Sequence, residues 1–408
     1  MPTSAGPIRP EERILVIDIV RGVALLGIFV MNIPGFGHSL FAGAADGGEL
    51  VTGLWDRAAA FVREAFFAGK FNTMFSLLFG IGFTIQLGRL QATVPERAAP
   101  IYVRRLLVLL GLGLVHAGLL WNGDVLLVYA VLGFALLLLQ RAPDKVLILL
   151  IAACLVFPGI FDAWRPQLVS PEAEALAAFD YRHLEASNNE AFGTGSFLDA
   201  VRETSRMFAW GYGTPMGRWS YALFYAHMAT GMLLGYWVGR RGWVGRLGSL
   251  QREISRIQWA ALTLAAVAAL GQVALAPGVS ATEPLPARVL AAGFLHSTGR
   301  LGLTLFYILT LVRLAESTTR WRRLLLPFAS AGRMPLSNYL LQTAMGTFIF
   351  YGWGLGYWGR TRPALELLLA PLLFVAIQLP LSAWWLRRFR YGPLEYAWRL
   401  LSYGRSAT

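Results

Sequence analysis

The sequence predicts an all-α fold, a polytopic membrane bundle of about ten transmembrane helices with both termini in the cytoplasm. Three observations carry that prediction. The composition is 56% hydrophobic and only 14% charged, with a mean hydropathy of +0.53, far from an ordinary soluble domain. Apolar stretches recur along the chain, each long enough to cross a hydrocarbon core of about 30 Å as a helix rising about 1.5 Å per residue. Basic residues are also lopsided. With the N-terminus inside, twenty-three of the 36 Lys and Arg fall in cytoplasmic segments and ten in outer ones, as the positive-inside rule requires. The net charge of +13 is therefore an orientation signal. Its dispersal over all the cytoplasmic loops argues against a nucleic-acid partner.

One membrane domain, 1–408, accounts for the chain, with a cytoplasmic tail at 1–13, a long extracytoplasmic loop at 163–218 and a basic cytoplasmic tail at 387–408. The first span, 14–36, carries Asp18 and Arg21 and has no small-residue cleavage site behind it, so it reads as a retained helix. The second covers 66–88. The third and fourth, 104–121 and 124–140, are joined by a tight turn at Trp121, Asn122, Gly123 and Asp124. The fifth, 146–162, holds Cys154, the only cysteine, so no intrachain disulfide and no cysteine metal site is expected. The loop that follows contains two amphipathic stretches, Glu172 to Ala186 and Phe197 to Trp210; it either covers an outer-facing cavity or forms a plain surface cap. The remaining spans are 220–239, 257–277, 289–312, 335–352 and 364–386, the last ending at Arg387, Arg388 and Arg390. No internal repeat is evident, and the histidines show no metal-ligand spacing.

Chemistry is sought among polar groups inside spans, because a charge in hydrocarbon costs several kcal/mol unless it is paired or faces a cavity. Asp18, Arg21 and Asn32 share one stripe of the first helix, suited to a structural ion pair or to a site. His116, Asp124 and Lys70 gather at the outer ends of the second to fourth spans. A carboxylate beside an imidazole holds one ring nitrogen as donor and leaves the other to take a proton, although Asp124 also suits an N-cap of the fourth helix, His116 a buried structural histidine and Lys70 a snorkelling residue. A third group is Arg333, Ser337, Asn338 and Gln342, with Arg300 deeper in the eighth span. It makes either a basic mouth for a phosphate-bearing ligand or interhelical hydrogen-bond glue.

Five blocks, ordered along nearly the whole chain, resemble the YeiB-like bacterial membrane proteins. They are Arg13 to Asn32 with Asp18, Arg21, Gly22 and Gly27; Lys70 to Gly82; His116 to Tyr129; Gly332 to Gln342; and Gly392 to Arg399. Pro335 stands where that family usually shows alanine. The Arg-x4-Asp-x2-Arg-Gly element of the first span is also similar to that of transmembrane acyltransferases, including the heparan glucosaminide acetyltransferase group. That wider resemblance implies a cytoplasmic acyl-coenzyme A donor, an acceptor on the other side of the membrane and an essential histidine, for which both His38 and His116 are candidates.

These readings combine into one expectation. A transmembrane acyltransferase of the bacterial inner membrane would use His116, Asp124 and Lys70 for catalysis. Asp18, Arg21, Arg300, Arg333, Asn338 and Gln342 would form the inner mouth for acyl-CoA, and Asn32 and Tyr129 would line the cavity. The expected partners are the lipid bilayer and an envelope glycan, lipid or small-molecule acceptor, with an oligomer left open and no metal required. The competing class is a transporter or exporter that uses the same charges as a relay.

Overall fold

All ten stretches predicted as spans are helical in the computed structural model, which describes residues 14–42, 53–279, 286–317 and 320–403. The expected tail 1–13, Arg13 and the last residues of the basic tail, 404–408, lie outside the described residues. The fold is all-α, and no strand occurs among the described residues. The helices are α1 (Leu15–Gly37), α2 (Leu54–Val62), α3 (Lys70–Thr93), α4 (Pro95–Val115), α5 (Leu126–Leu138), α6 (Asp144–Leu168), α7 (Pro171–Gly193) and α8 (Phe197–Gly213), then α9 (Pro215–Arg240), α10 (Gln251–Val279), α11 (Pro286–Glu316), α12 (Arg320–Arg333), α13 (Pro335–Phe350), α14 (Pro363–Leu373), α15 (Leu379–Leu386) and α16 (Pro393–Tyr403).

Among the described residues, seven stretches are long and apolar enough to cross a membrane: 15–37, 54–93, 95–120, 144–165, 243–277, 286–316 and 363–386. The predicted spans at α5, α9 and α13 fall outside that set. The stretch Leu126–Arg141 is apolar but short. The other two are surrounded by protein and bury polar groups, His227 and Thr230 on α9, and Asn338, Gln342 and Thr343 on α13. A helix enclosed by its neighbours need not be apolar all round.

α1 is the central post. Ile19, Ala24, Leu25, Phe29, Ile33 and Phe36 are fully buried on it, and it packs against α3, α12, α13 and α14. Its closest approach is to α12, where a Cβ at Gly332 would overlap the Asp18 carbonyl oxygen, so only glycine permits the contact. The outward helices have the opposite character. Ile148 and Leu149 on α6, Val267, Leu270 and Val273 on α10, and Leu368 and Leu372 on α14 are all exposed. Apolar surface on that scale belongs in contact with lipid.

The connection expected as a long loop is largely the helical pair α7 and α8. Ser196 and Asp199 form a reciprocal capping box at the start of α8. The hydrogen bonds from Ser196 hold the exposed Asp199 carboxyl below its ordinary range. Among the described residues three π-helical turns interrupt the spans, at Arg63–Phe67, His116–Leu120 and Phe374–Gln378. Such turns are frequent at functional sites. The first stands just before Lys70, and the second begins with His116.

Candidate functional site

The turn between α4 and α5 folds Asp124 back onto His116, whose Nδ1 lies 2.8 Å from Asp124 Oδ1. Asp124 Oδ2 accepts from the Leu127 amide at 2.7 Å, so the carboxylate also caps the start of α5. The other imidazole nitrogen, Nε2, lies 2.9 Å from Thr343 Oγ1 on α13. With Nδ1 donating to the carboxylate, Nε2 accepts the Thr343 proton, giving a hydroxyl–imidazole–carboxylate chain of the kind that activates an oxygen nucleophile. The group is sealed: His116 is only 1% exposed, and Thr343 and Asp124 are buried. Tyr339 closes one side. Its ring centroid lies 5.2 Å from that of His116, its hydroxyl donates to Gly123 O at 3.1 Å, and it accepts from the Val125 amide at 3.3 Å. On the opposite side α8 crosses the π turn, where Ser205 donates to Gly118 O and Asn122 to Thr204 O.

A cavity of about 240 Å³ reaches this region from the end of the bundle where α1 begins. At its mouth stand Asp18, Arg21, Arg105, Arg333 and Arg399. Phe75, Phe79 and Leu106 are among its apolar walls, and it ends on Val125, Tyr129 and Tyr339. Arg21 pairs with Asp18 at 3.0 Å and also donates to the Gly332 carbonyl at 3.2 Å, tying α1 to α12. Arg105 lies 3.8 Å over the Trp398 ring, and Trp398 donates to Arg105 O. The Glu395 carboxylate accepts the Leu336 and Ser337 amides at 2.7 and 3.1 Å and the Ser337 hydroxyl, capping α13 from a different helix. Burial pushes the Glu395 carboxyl above its ordinary range, against these bonds, which favour the ionised form.

The structure thus brings His116 to Asp124, and Asp18 and Arg21 to Arg333 and Tyr129. It divides the remaining predicted site residues differently. Asn338 donates to Ala331 O, Met334 O and Ser382, while Gln342 donates to Leu25 O and Gln378; both act as interhelical glue. Asn32 lies outside the cavity lining. Lys70 donates to Glu64 O at 2.7 Å and stands with Arg300 and His227 around Gly69, so neither Lys70 nor Arg300 lines the cavity. His38 pairs with the buried Glu366 at 3.0 Å, with Arg63 3.6 Å away on the other carboxylate oxygen. Sequence reasoning missed Thr343, Tyr339, Arg105 and Arg399 as site residues. Arg105 carries no sequence signal beyond its charge at the cytoplasmic side, Arg399 none beyond that and its place in the last block, and nothing in the spacing of α13 singles out Thr343.

The fold and these constellations define a polytopic helical membrane protein with a polar, buried intramembrane site. The chain belongs to the YeiB-like family. Residues 238–405 match the family described as "Protein of unknown function (DUF418)". Over 98% of its length the chain is 31% identical to the uncharacterized protein YxaH of Bacillus subtilis, covering 97% of that protein. It is 31% identical to the uncharacterized protein YeiB of Escherichia coli, with 96% of each chain covered. A 39.9 kDa uncharacterized protein of Bacillus acidopullulyticus is 29% identical, over 98% of this chain and 96% of its own. No solved structure matches the chain.

Proposed function

We propose that this chain is a transmembrane acyltransferase that takes an acyl group from cytoplasmic acyl-CoA and gives it to an extracytoplasmic acceptor. The single observation that carries the reading is a cavity that runs from an arginine-rich mouth through apolar walls to within one side chain of the Thr343, His116 and Asp124 chain. Arg21, Arg105, Arg333 and Arg399 suit the phosphates of the donor, and the apolar walls suit its acyl and pantetheine end. Tyr339 is the gate between the cavity and the imidazole. In the transfer, His116 Nε2 takes the acceptor's hydroxyl or amine proton while the acceptor attacks the thioester carbonyl. The carbon–sulfur bond then breaks, and the leaving thiolate takes that proton from the imidazolium. Asp124 holds the tautomer, and Thr343 occupies Nε2 until the acceptor displaces it. Ten spans, both termini in the cytoplasm and a bacterial inner membrane complete this reading.

An exporter is the second reading, favoured by the break at Gly69 within the stretch 54–93, where charged residues meet a discontinuous helix. One experiment separates the two. Acyl transfer and donor binding are measured on the same purified protein in nanodiscs. His116→Ala is expected to abolish transfer and retain donor binding, while Arg333→Ala weakens binding. Absence of any acyl-CoA binding by wild type at millimolar donor, with solute flux lost in His116→Ala, would replace the enzyme with the exporter.

A further inference from the structure

Within the membrane-spanning stretch 54–93, α2 widens into the π turn Arg63–Phe67 and the helix breaks at Gly69, whose φ is +71°. Glycine is required there twice over, by that backbone conformation and by space. A Cβ would lie 2.5 Å from Arg300 Cδ and 2.9 Å from His227 Cε1, so two side chains from α11 and α9 close over the bare backbone. Lys70 follows immediately. It is buried, and the Thr304 hydroxyl one turn beyond Arg300 donates to its carbonyl. The next residue, Phe71, packs its ring where a Cβ of Gly27 would stand, so the group lies level with the middle of α1.

The charges here do not balance. Among the described residues Arg300 has no hydrogen-bond or ion-pair partner, and Lys70 reaches only the Glu64 backbone oxygen. His227 engages Gly69 O and Thr73 through Nε2, and His296 lies one turn before Arg300 on α11. Glu64 is the one carboxylate whose charge acts on Lys70 and Arg300 among the described residues; it is exposed and not in salt-bridge contact with either. Two cations in a spanning segment without a bonded counterion are costly, and burial of that kind is retained where something else supplies the negative charge.

We propose that Lys70 and Arg300, walled by His227, form an anion site for a phosphate group, separate from the arginine-mouthed cavity. A compact ammonium and a guanidinium fork beside a Cβ-free backbone suit a tetrahedral dianion. Glu64, Phe66 and His296 are exposed beside the group, which gives it a lateral opening toward the surrounding medium. The phosphate is carried either by a bilayer lipid entering through that opening or by a small soluble molecule.

The test uses the full chain in nanodiscs of neutral phosphatidylcholine. One arm titrates labelled inorganic phosphate and reads bound label. The other substitutes phosphatidic acid for part of the phosphatidylcholine and reads retained lipid by native mass spectrometry. Wild type is expected to bind in at least one arm: label identifies a soluble source, retained lipid a bilayer source. Arg300→Gln and Lys70→Gln should each weaken that binding at least tenfold, Arg300→Lys should keep most of it, and Arg202→Ala on the exposed face of α8 should leave it unchanged. Monodispersity on size exclusion reports folding. If Arg300→Gln does not fold, the Arg300→Lys and wild-type comparison carries the result. Wild type binding in neither arm, or a folded Arg300→Gln or Lys70→Gln that binds as wild type does, overturns the proposal.

Discussion

Asp124 performs two tasks with two oxygens, and separate substitutions at this one position dissect them. Asp124→Ala removes the acceptor of the Leu127 amide, a cap worth about 1 kcal/mol. It also leaves the fully buried His116 Nδ1 without a partner, worth about 1–3 kcal/mol. The expected loss of stability is therefore about 2–4 kcal/mol. Asp124→Asn keeps the shape, and its amide oxygen still accepts from Leu127, while its NH2 group turns toward Nδ1. The imidazole is then forced into the tautomer protonated on Nε2, which can no longer take a proton. Stability should fall by less than about 1 kcal/mol, while turnover falls by about 10⁴, the size of a wrong-tautomer defect in a hydroxyl–imidazole–carboxylate system. Thermal unfolding in detergent and acyl transfer in nanodiscs, on the same preparations, measure the two effects. An Asn variant as unstable as the Ala variant would show that the charge holds the fold. An Asn variant with wild-type turnover would show that His116 is not the base.

Three further outcomes test the packing and the orientation. Glu395→Ala should cost about 2–4 kcal/mol in thermal unfolding, because two amides at the start of α13 and the Ser337 hydroxyl lose a common acceptor. Because the folded pKa of Glu395 is raised, the proton-linked part of its contribution is complete below the ordinary Glu value of about 4.3 and is lost as the pH rises through the folded value, while its role as acceptor persists. The wild-type Tm should accordingly decline over that window, and Glu395→Gln should flatten the dependence. Gly332→Ala drives a Cβ into the Asp18 carbonyl and should cost about 1–3 kcal/mol or more, read by unfolding and by the fraction of protein that remains monodisperse. Reporters fused after Gln140, after Arg246 and at the C-terminus should report cytoplasm, and one near Asn189 should report the outside; an external signal at the C-terminus would make the number of spans odd.

Hydrophobicity and helical period are local properties, so the sequence alone determined that the chain is all-α and that helices run through the stretches it marks as apolar, to within a few residues at most ends. The ion pair of Asp18 and Arg21, three residues apart on one helix, was legible for the same reason, as was the approach of His116 to Asp124 across a tight turn. What the tertiary structure decided are the contacts between residues far apart in the chain. Thr343 reaches His116 from more than two hundred residues away, and Glu395 caps a helix that starts sixty residues earlier. The sequence pattern places Lys70 with the outer group and Arg300 with the inner one, yet both stand at Gly69, where the helix breaks inside a span. That break rests on one glycine in a left-handed conformation beneath the Arg300 and His227 side chains. An apolar pattern carries no record of either the bend or what closes over it.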